Sequence, residues 1–202
     1  MTQVFLLSPA RCDGRRTKIL LSPNAEFALA RRVAGEGAPL GEVFSFLSGL
    51  YFRGKLAYAD AFGRATDRAP GSLIITTDRG LLPTDSVVTR DDLVAFASVD
   101  IAAGDDRYTK PLRRDVENLA ASIGPSGQVV LLGSIATGKY VDLLLETFGN
   151  RLVFPTDFVG RGDMSRGGLL LRCVQEGKEL AYEPVAGAVR HGKRPPKLKP
   201  IR

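Results

Sequence analysis

Residues 128–149 read QVVLLGSIATGKYVDLLLETFG, and no other stretch narrows the fold so far. The apolar run 129–132 reads as a strand and stops at Gly133. Small residues follow to Gly138. Lys139 then opens a segment with Val141, Leu144, Leu145 and Phe148 at helical spacing. Strand, glycine turn and helix in this order build an α/β layered domain. The first N–H groups of such a helix have no intrahelical partners and can hold an anion. Gly133, Gly138 and Lys139 match the first seven positions of the phosphate-binding loop G-x-x-x-x-G-K-[ST], and Ser134 and Thr137 complete the candidate anion site. The eighth position is Tyr140, which cannot place a small hydroxyl on Mg²⁺. The turn therefore reads as an anion or nucleotide site without specifying a reaction.

The flanking segments extend the pattern. Residues 4–8 read as a first strand, followed by a turn at 9–14, and Asn24 as the cap of a helix through about residue 33. Residues 40–62 keep a helical period through Leu40, Val43, Phe44, Leu47 and Tyr51 and on to Tyr58 and Phe62, which predicts one long helix. Gly49 and Gly54 lie inside it at about 1 kcal/mol each relative to Ala, which points to close packing or to backbone approach to a ligand. Residues 73–76 read as a buried strand, 93–101 as a strand or a short helix, and Pro111 as the first turn of a helix to Ile123. Another strand falls at 151–154. The runs 169–173 and 179–185 flank a glycine turn and read as a closing β-hairpin, with a helix over 165–175 as the competing reading. The expected architecture is a single α/β layered domain over 1–189, with a mainly parallel sheet, helices on both faces and an antiparallel edge.

Three polar, glycine-bearing turns follow apolar strands, at 76–83, 133–139 and 158–168. In a parallel sheet they gather on one edge, where ligands bind, so a composite pocket is expected. Asp78 and Arg79 lie in the first turn, with a turn-bracing ion pair as the plainer reading. In the third turn, four glycines surround Arg161, Asp163, Ser165 and Arg166. Two arginines in such a loop can fork onto a phosphate or carboxylate, or can brace the loop through Asp163. Asp78 and Asp163 are the candidate acid/base groups; Arg79, Arg161, Ser165 and Arg166 join the 133–139 turn as anion ligands.

Charge is unevenly placed. The chain carries 28 Lys+Arg and 22 Asp+Glu, and residues 190–202, RHGKRPPKLKPIR, hold six of the basic residues and no acid. Taking 6 from 28 leaves 22 basic against 22 acidic residues in 1–189, so the excess charge belongs to this tail. Its prolines and scarce apolar residues predict a disordered segment. Arg190, Lys193, Arg194, Lys197 and Lys199 read as a phosphate-neutralising arm for nucleic acid, or else as a solubilising end. The only histidine, His191, lies there, which nearly excludes histidine catalysis in the body. Cys12 and Cys173 supply half the ligands of a closed zinc site, so neither a metal nor a cofactor is expected. No apolar run reaches the ~18 residues that span a bilayer, and residues 1–9 have no basic n-region. A cytoplasmic protein without a membrane partner is expected. The Arg-, Ala- and Gly-rich usage points to a GC-rich bacterial genome.

The phrases FLLSPAR at 5–11, LYFRGKLAY at 50–58 and IITTDRGLLP at 74–83 carry a resemblance. In this order they resemble the glycosylase-like central domain of archaeosine synthases and the YaaA peroxide-stress proteins, over scattered parts of 4–140. Arg11 stands where those families carry lysine, and the Tyr-Asp element of the archaeosine group has no counterpart. The resemblance implies a uracil-DNA-glycosylase-like sheet and a nucleic-acid or nucleobase connection. The expected function is thus binding of nucleic acid or a nucleotide, extending to base-modifying or glycosidic-bond chemistry. The alternatives are a non-catalytic binding module with a basic arm, and a nucleotide hydrolase that uses the 133–139 loop.

Overall fold

The computed structural model describes residues 2–101, 104–136, 138–196 and 198. The sheet begins with β1 (Gln3–Leu7), whose side chains are all buried. Beside it run β3 (Ser72–Ile75) and, on the other side, β6 (Gln128–Leu132) and β7 (Leu152–Pro155), all parallel to it. Short antiparallel strands close both edges: β4 (Leu81–Leu82) pairs with β3, and β8 (Tyr182–Pro184) with β7. The order is β4-β3-β1-β6-β7-β8. A two-stranded ribbon, β2 (Ala38–Pro39) with β5 (Val87–Val88), stands apart.

Alternation along the strands divides the apolar residues between two layers. Phe5 and Leu7, with Ile74, Val130 and Leu132, face a core built by α3 (Leu40–Ser48), α4 (Leu50–Phe62) and α8 (Asp163–Glu176). Val4 and Leu6, with Ile75, Val129 and Leu131, face α6 (Asp106–Ile123) and α7 (Gly138–Phe148). The continuous apolar runs of the sequence follow from this double coverage. No helix among the described residues is long and apolar enough to cross a membrane.

The structure departs from sequence expectation at five places. The helix expected from Pro111 begins earlier, at Asp106, with Asp105 as its cap accepting from the Arg107 N–H, so Pro111 lies inside α6 and not in its first turn. Residues 40–62 form two helices, because Gly49 adopts φ 67° and breaks the rod between α3 and α4. The helix expected from Asn24 begins later, as α2 (Ala28–Ala34), after a short α1 (Arg15–Leu20). The helix α5 (Arg90–Ala97) resolves the 93–101 ambiguity; a Thr89–Asp92 capping box starts it. The stretch 165–175 lies within α8, the competing reading, so the antiparallel edge is formed by β8 on β7 instead of a hairpin with 169–173. Gly54 of α4 lies against Gly167 of α8 so closely that a Cβ at Gly54 would stand 2.7 Å from the Gly167 carbonyl oxygen. Close packing is therefore what this glycine provides.

Candidate functional site at the switch point of the sheet

The chain leaves β1 toward α1 to α4 on one face and leaves β6 toward α7 on the other. Neighbouring parallel strands whose connections part to opposite faces leave a crevice beyond their carboxyl ends. A cleft opens there; its larger lobe, ≈ 510 Å³, is lined from the end of β1 by Ser8 and Arg11, from β6 and α7 by Ser134, Lys139 and Tyr140, and from the helical layer by Tyr51, Lys55 and Asp163. A neighbouring lobe of ≈ 360 Å³ shares Arg11 and Lys139 and reaches Thr77 after β3.

At the floor of the cleft lies Lys55, 1% exposed. Its ammonium donates to the Ser8 carbonyl oxygen at 2.6 Å and to Ser8 Oγ at 2.9 Å. The rings of Tyr51 and Phe52 pack on Nζ at 4.7 and 4.5 Å. Burial is the chief cause that brings Lys55 down to about 7; Arg166 adds to the effect, and Asp163 opposes it. The amine reaches Ser8 because α4 comes close to β1 and because the Gly54–Gly167 contact lets α8 press α4 onto the sheet.

Tyr140 completes this floor. Its hydroxyl donates to the Ser134 carbonyl oxygen at 2.9 Å and lies against the Ser8 hydroxyl. A Cβ at Gly133 would stand 2.7 Å from that phenol oxygen and 2.9 Å from Ser8 Cβ, so only glycine lets the two meet. The residue that replaces the small hydroxyl of a phosphate loop thus fills the turn from inside. Burial pushes the Tyr140 phenol up, against the hydrogen bond from the Ser8 hydroxyl. Tyr51 is pushed up by burial too, against the pull of Arg166, and its hydroxyl has no hydrogen-bond partner among the described residues.

The residues singled out from sequence are divided by the fold. Ser134, Lys139 and Asp163 line the cleft, with Gly133 and Gly138 bounding the turn behind it. Thr137 lies outside the described residues. Arg166 stands just behind Asp163, its Nη1 3.6 Å from Oδ1, while Nε and Nη2 donate to the Phe158 carbonyl oxygen at 3.2 and 3.1 Å. Arg161 donates to the Asp157 carbonyl oxygen and to Ser165 Oγ, so both are engaged in holding the third turn.

Asp78 and Arg79 take no part in the larger lobe. Arg79 forms a 2.6 Å ion pair with Asp92 and stacks on Phe96. Asp78 Oδ1 is buried 3.7 Å from Arg79 Nε and makes no hydrogen bond among the described residues. Burial raises its carboxyl, and the Arg79 charge opposes this. The two candidate carboxylates therefore stand at separate turns.

In the tail, Arg190 approaches Asp142 at 3.9 Å. Lys193 packs its backbone against Gly160, and Arg194 lines a groove beside Arg161 and Ser165. Lys197 and Lys199 lie outside the described residues. No cluster of three or more His, Cys, Asp or Glu that could hold a metal occurs among the described residues.

Sequence reasoning missed Ser8, Arg11, Tyr51, Lys55 and Tyr140. One signal was present: Tyr51, Lys55, Tyr58 and Phe62 share a helical stripe, and a lysine on an otherwise apolar stripe marks a buried charge. Compared with protein-family models, with curated proteins and with solved structures, the chain matches none of them, and its site stands on its own residues.

Proposed function

We propose that the chain binds a phosphate-bearing ligand of nucleotide size in the cleft at the carboxyl ends of β1 and β6. The observation that carries this reading is the set of cationic side chains in the larger lobe: Lys139 and Arg11 at the rim, Arg11 forked on Asp13, and the buried Lys55 amine at the floor, against Asp163. Arg11 and Lys139 are exposed at the rim and meet an incoming anion, while Lys55 waits at the floor. The N-terminus of α7 adds its dipole to the same side. A volume of ≈ 510 Å³ suits a small molecule, within the roughly 300–1,000 Å³ typical of ligand sites. Tyr51 supplies an apolar wall.

Calorimetric titration with inorganic phosphate and the common mononucleotides tests the reading. At least one is expected to bind, and Lys139→Ala is expected to weaken it by about tenfold, the worth of one charge-assisted contact. Saturable binding that Lys139→Ala and Arg11→Ala leave unchanged would place the ligand elsewhere. The absence of any binding would remove the reading.

A second reading rests on the groove beside α8, where Arg194 of the tail meets Arg161. Here the ligand is nucleic acid held along its backbone, with the cleft receiving one nucleotide. It predicts that oligonucleotides bind more tightly than mononucleotides, with a steep salt dependence. Base-modifying or glycosidic-bond chemistry belongs to this reading, with Asp163 as the carboxylate facing the bound nucleotide.

A further inference from the structure

We propose that Ser8 and Lys55 form a nucleophile–base pair that hydrolyses an oxygen ester carrying an anionic group, through an acyl-serine. This goes beyond ligand binding and uses the anion reading only for the charge of the substrate.

The placement is that of a nucleophile. Ser8 directly follows the central strand β1, at the switch point of the sheet, and lines the cleft although only 7% exposed. Its hydroxyl oxygen is 2.9 Å from Lys55 Nζ, within reach for direct proton transfer. The Ser8 carbonyl oxygen, 2.6 Å from the same nitrogen, fixes the amine so that one proton is held by the backbone and one position faces Oγ. Tyr140 presses on the hydroxyl from the far side, across Gly133.

The surroundings suit a neutral amine. A lysine that only braced a strand end would keep its charge through a carboxylate partner. Among the described residues, no carboxylate lies within ion-pair distance of Nζ; the faces of Tyr51 and Phe52 shut water out around it and offset only part of the cost of the buried charge. From α8, Arg166 favours the neutral form and Asp163 the charged one; Tyr140 of α7 and Tyr51 of α4 stay protonated at neutral pH, and Arg11 and Lys139 bring further positive charge to the cleft. With Lys55 at about 7, a large share of chains holds the free base at neutral pH.

The step balances within the chain. Neutral Lys55 takes the Ser8 proton as Oγ bonds to the ester carbonyl carbon. The carbon–oxygen bond to the leaving alcohol then breaks, and the Lys55 ammonium gives that proton to the departing oxygen. Water, deprotonated by Lys55, attacks the acyl-serine. The bond to Oγ breaks, the carboxylic acid leaves, and Ser8 recovers its proton.

The test uses the full chain and p-nitrophenyl acetate, a neutral ester that needs no anion site, so its outcome is separate from that of nucleotide titration. Peptide mass spectrometry is expected to find acetyl on Ser8, and the rate of acetylation is expected to rise with pH to a plateau with a midpoint near 7. Ser8→Ala loses the signal, and Lys55→Met lowers the rate by about 10²–10⁴-fold, the usual worth of a general base. An unlabelled Ser8 in the folded wild type, or labelling whose rate shows no midpoint near neutral pH, overturns the pairing. The wild-type profile decides the matter even if a variant fails to fold.

Discussion

Burial of Lys55 without a counter-ion makes stability depend on pH in a way that the charge at the floor of the cleft alone predicts. In the unfolded chain this lysine holds its proton up to its ordinary value of 10.5; in the fold it releases it at about 7. Between those values the unfolded state binds more protons, so stability rises with pH; below 7 both states are protonated, and the cost of the buried charge is present in full. One proton is worth about 1.4 kcal/mol per pH unit, and with half of it already released at pH 7 the gain to pH 9 is about 2 kcal/mol. Above pH 9 the trend is opposed by Cys12, which burial pushes from 9.0 up to about 12, because the unfolded thiol then loses its proton first. The useful window is therefore pH 7 to 9. Urea unfolding of wild type and of Lys55→Met at pH 7, 8 and 9 isolates the effect, since every other titrating group is common to both chains. Wild type is expected to gain about 2 kcal/mol relative to the variant across the window. Parallel curves would mean that Lys55 keeps its proton in the fold, and would refute the account of its environment.

Two further outcomes are expected. Gly54→Ala gains about 1 kcal/mol of helix propensity but sets a methyl against the Gly167 backbone, and overpacking of about 1–3 kcal/mol wins, so urea unfolding should show a net loss of about 1 kcal/mol; a gain in stability would mean that α4 and α8 separate freely. Removal of 190–202 should flatten the salt dependence of any polyanion binding, because the six basic residues lost are the chain's whole charge excess, while affinity for a mononucleotide stays within about twofold as measured by calorimetry.

The layered α/β character was legible because β1, β3, β6 and β7 are covered on both faces and read as unbroken apolar runs. Local rules failed where tertiary contacts decide. Residues 169–173 alternate like a strand, yet they lie in α8, whose Gly167 packs against the Leu50 and Tyr51 backbone of α4, a contact no local pattern reveals. Gly49 looked like a tolerated helical glycine, but its positive φ ends α3. The turn after β6 was visible from its glycines, and the fold does bring Ser134 and Lys139 to a cleft. What completes that cleft was hidden, because Ser8, Lys55 and Tyr140 are remote in sequence and meet only through the strand order that sets β1 beside β6. Asp78 and Arg79 drew notice as charges after a buried strand; their own neighbours, Asp92 and Phe96, lie in a helix whose docking no local pattern reveals.

The most direct test of the account is to locate a bound mononucleotide by amide chemical-shift mapping of the isotopically labelled full chain. Saturable shifts are expected at 8–13, 51–55 and 133–141 and at Asp163, around the carboxyl ends of β1 and β6. Shifts confined to α8 and the tail, or none at saturating nucleotide, would contradict the account.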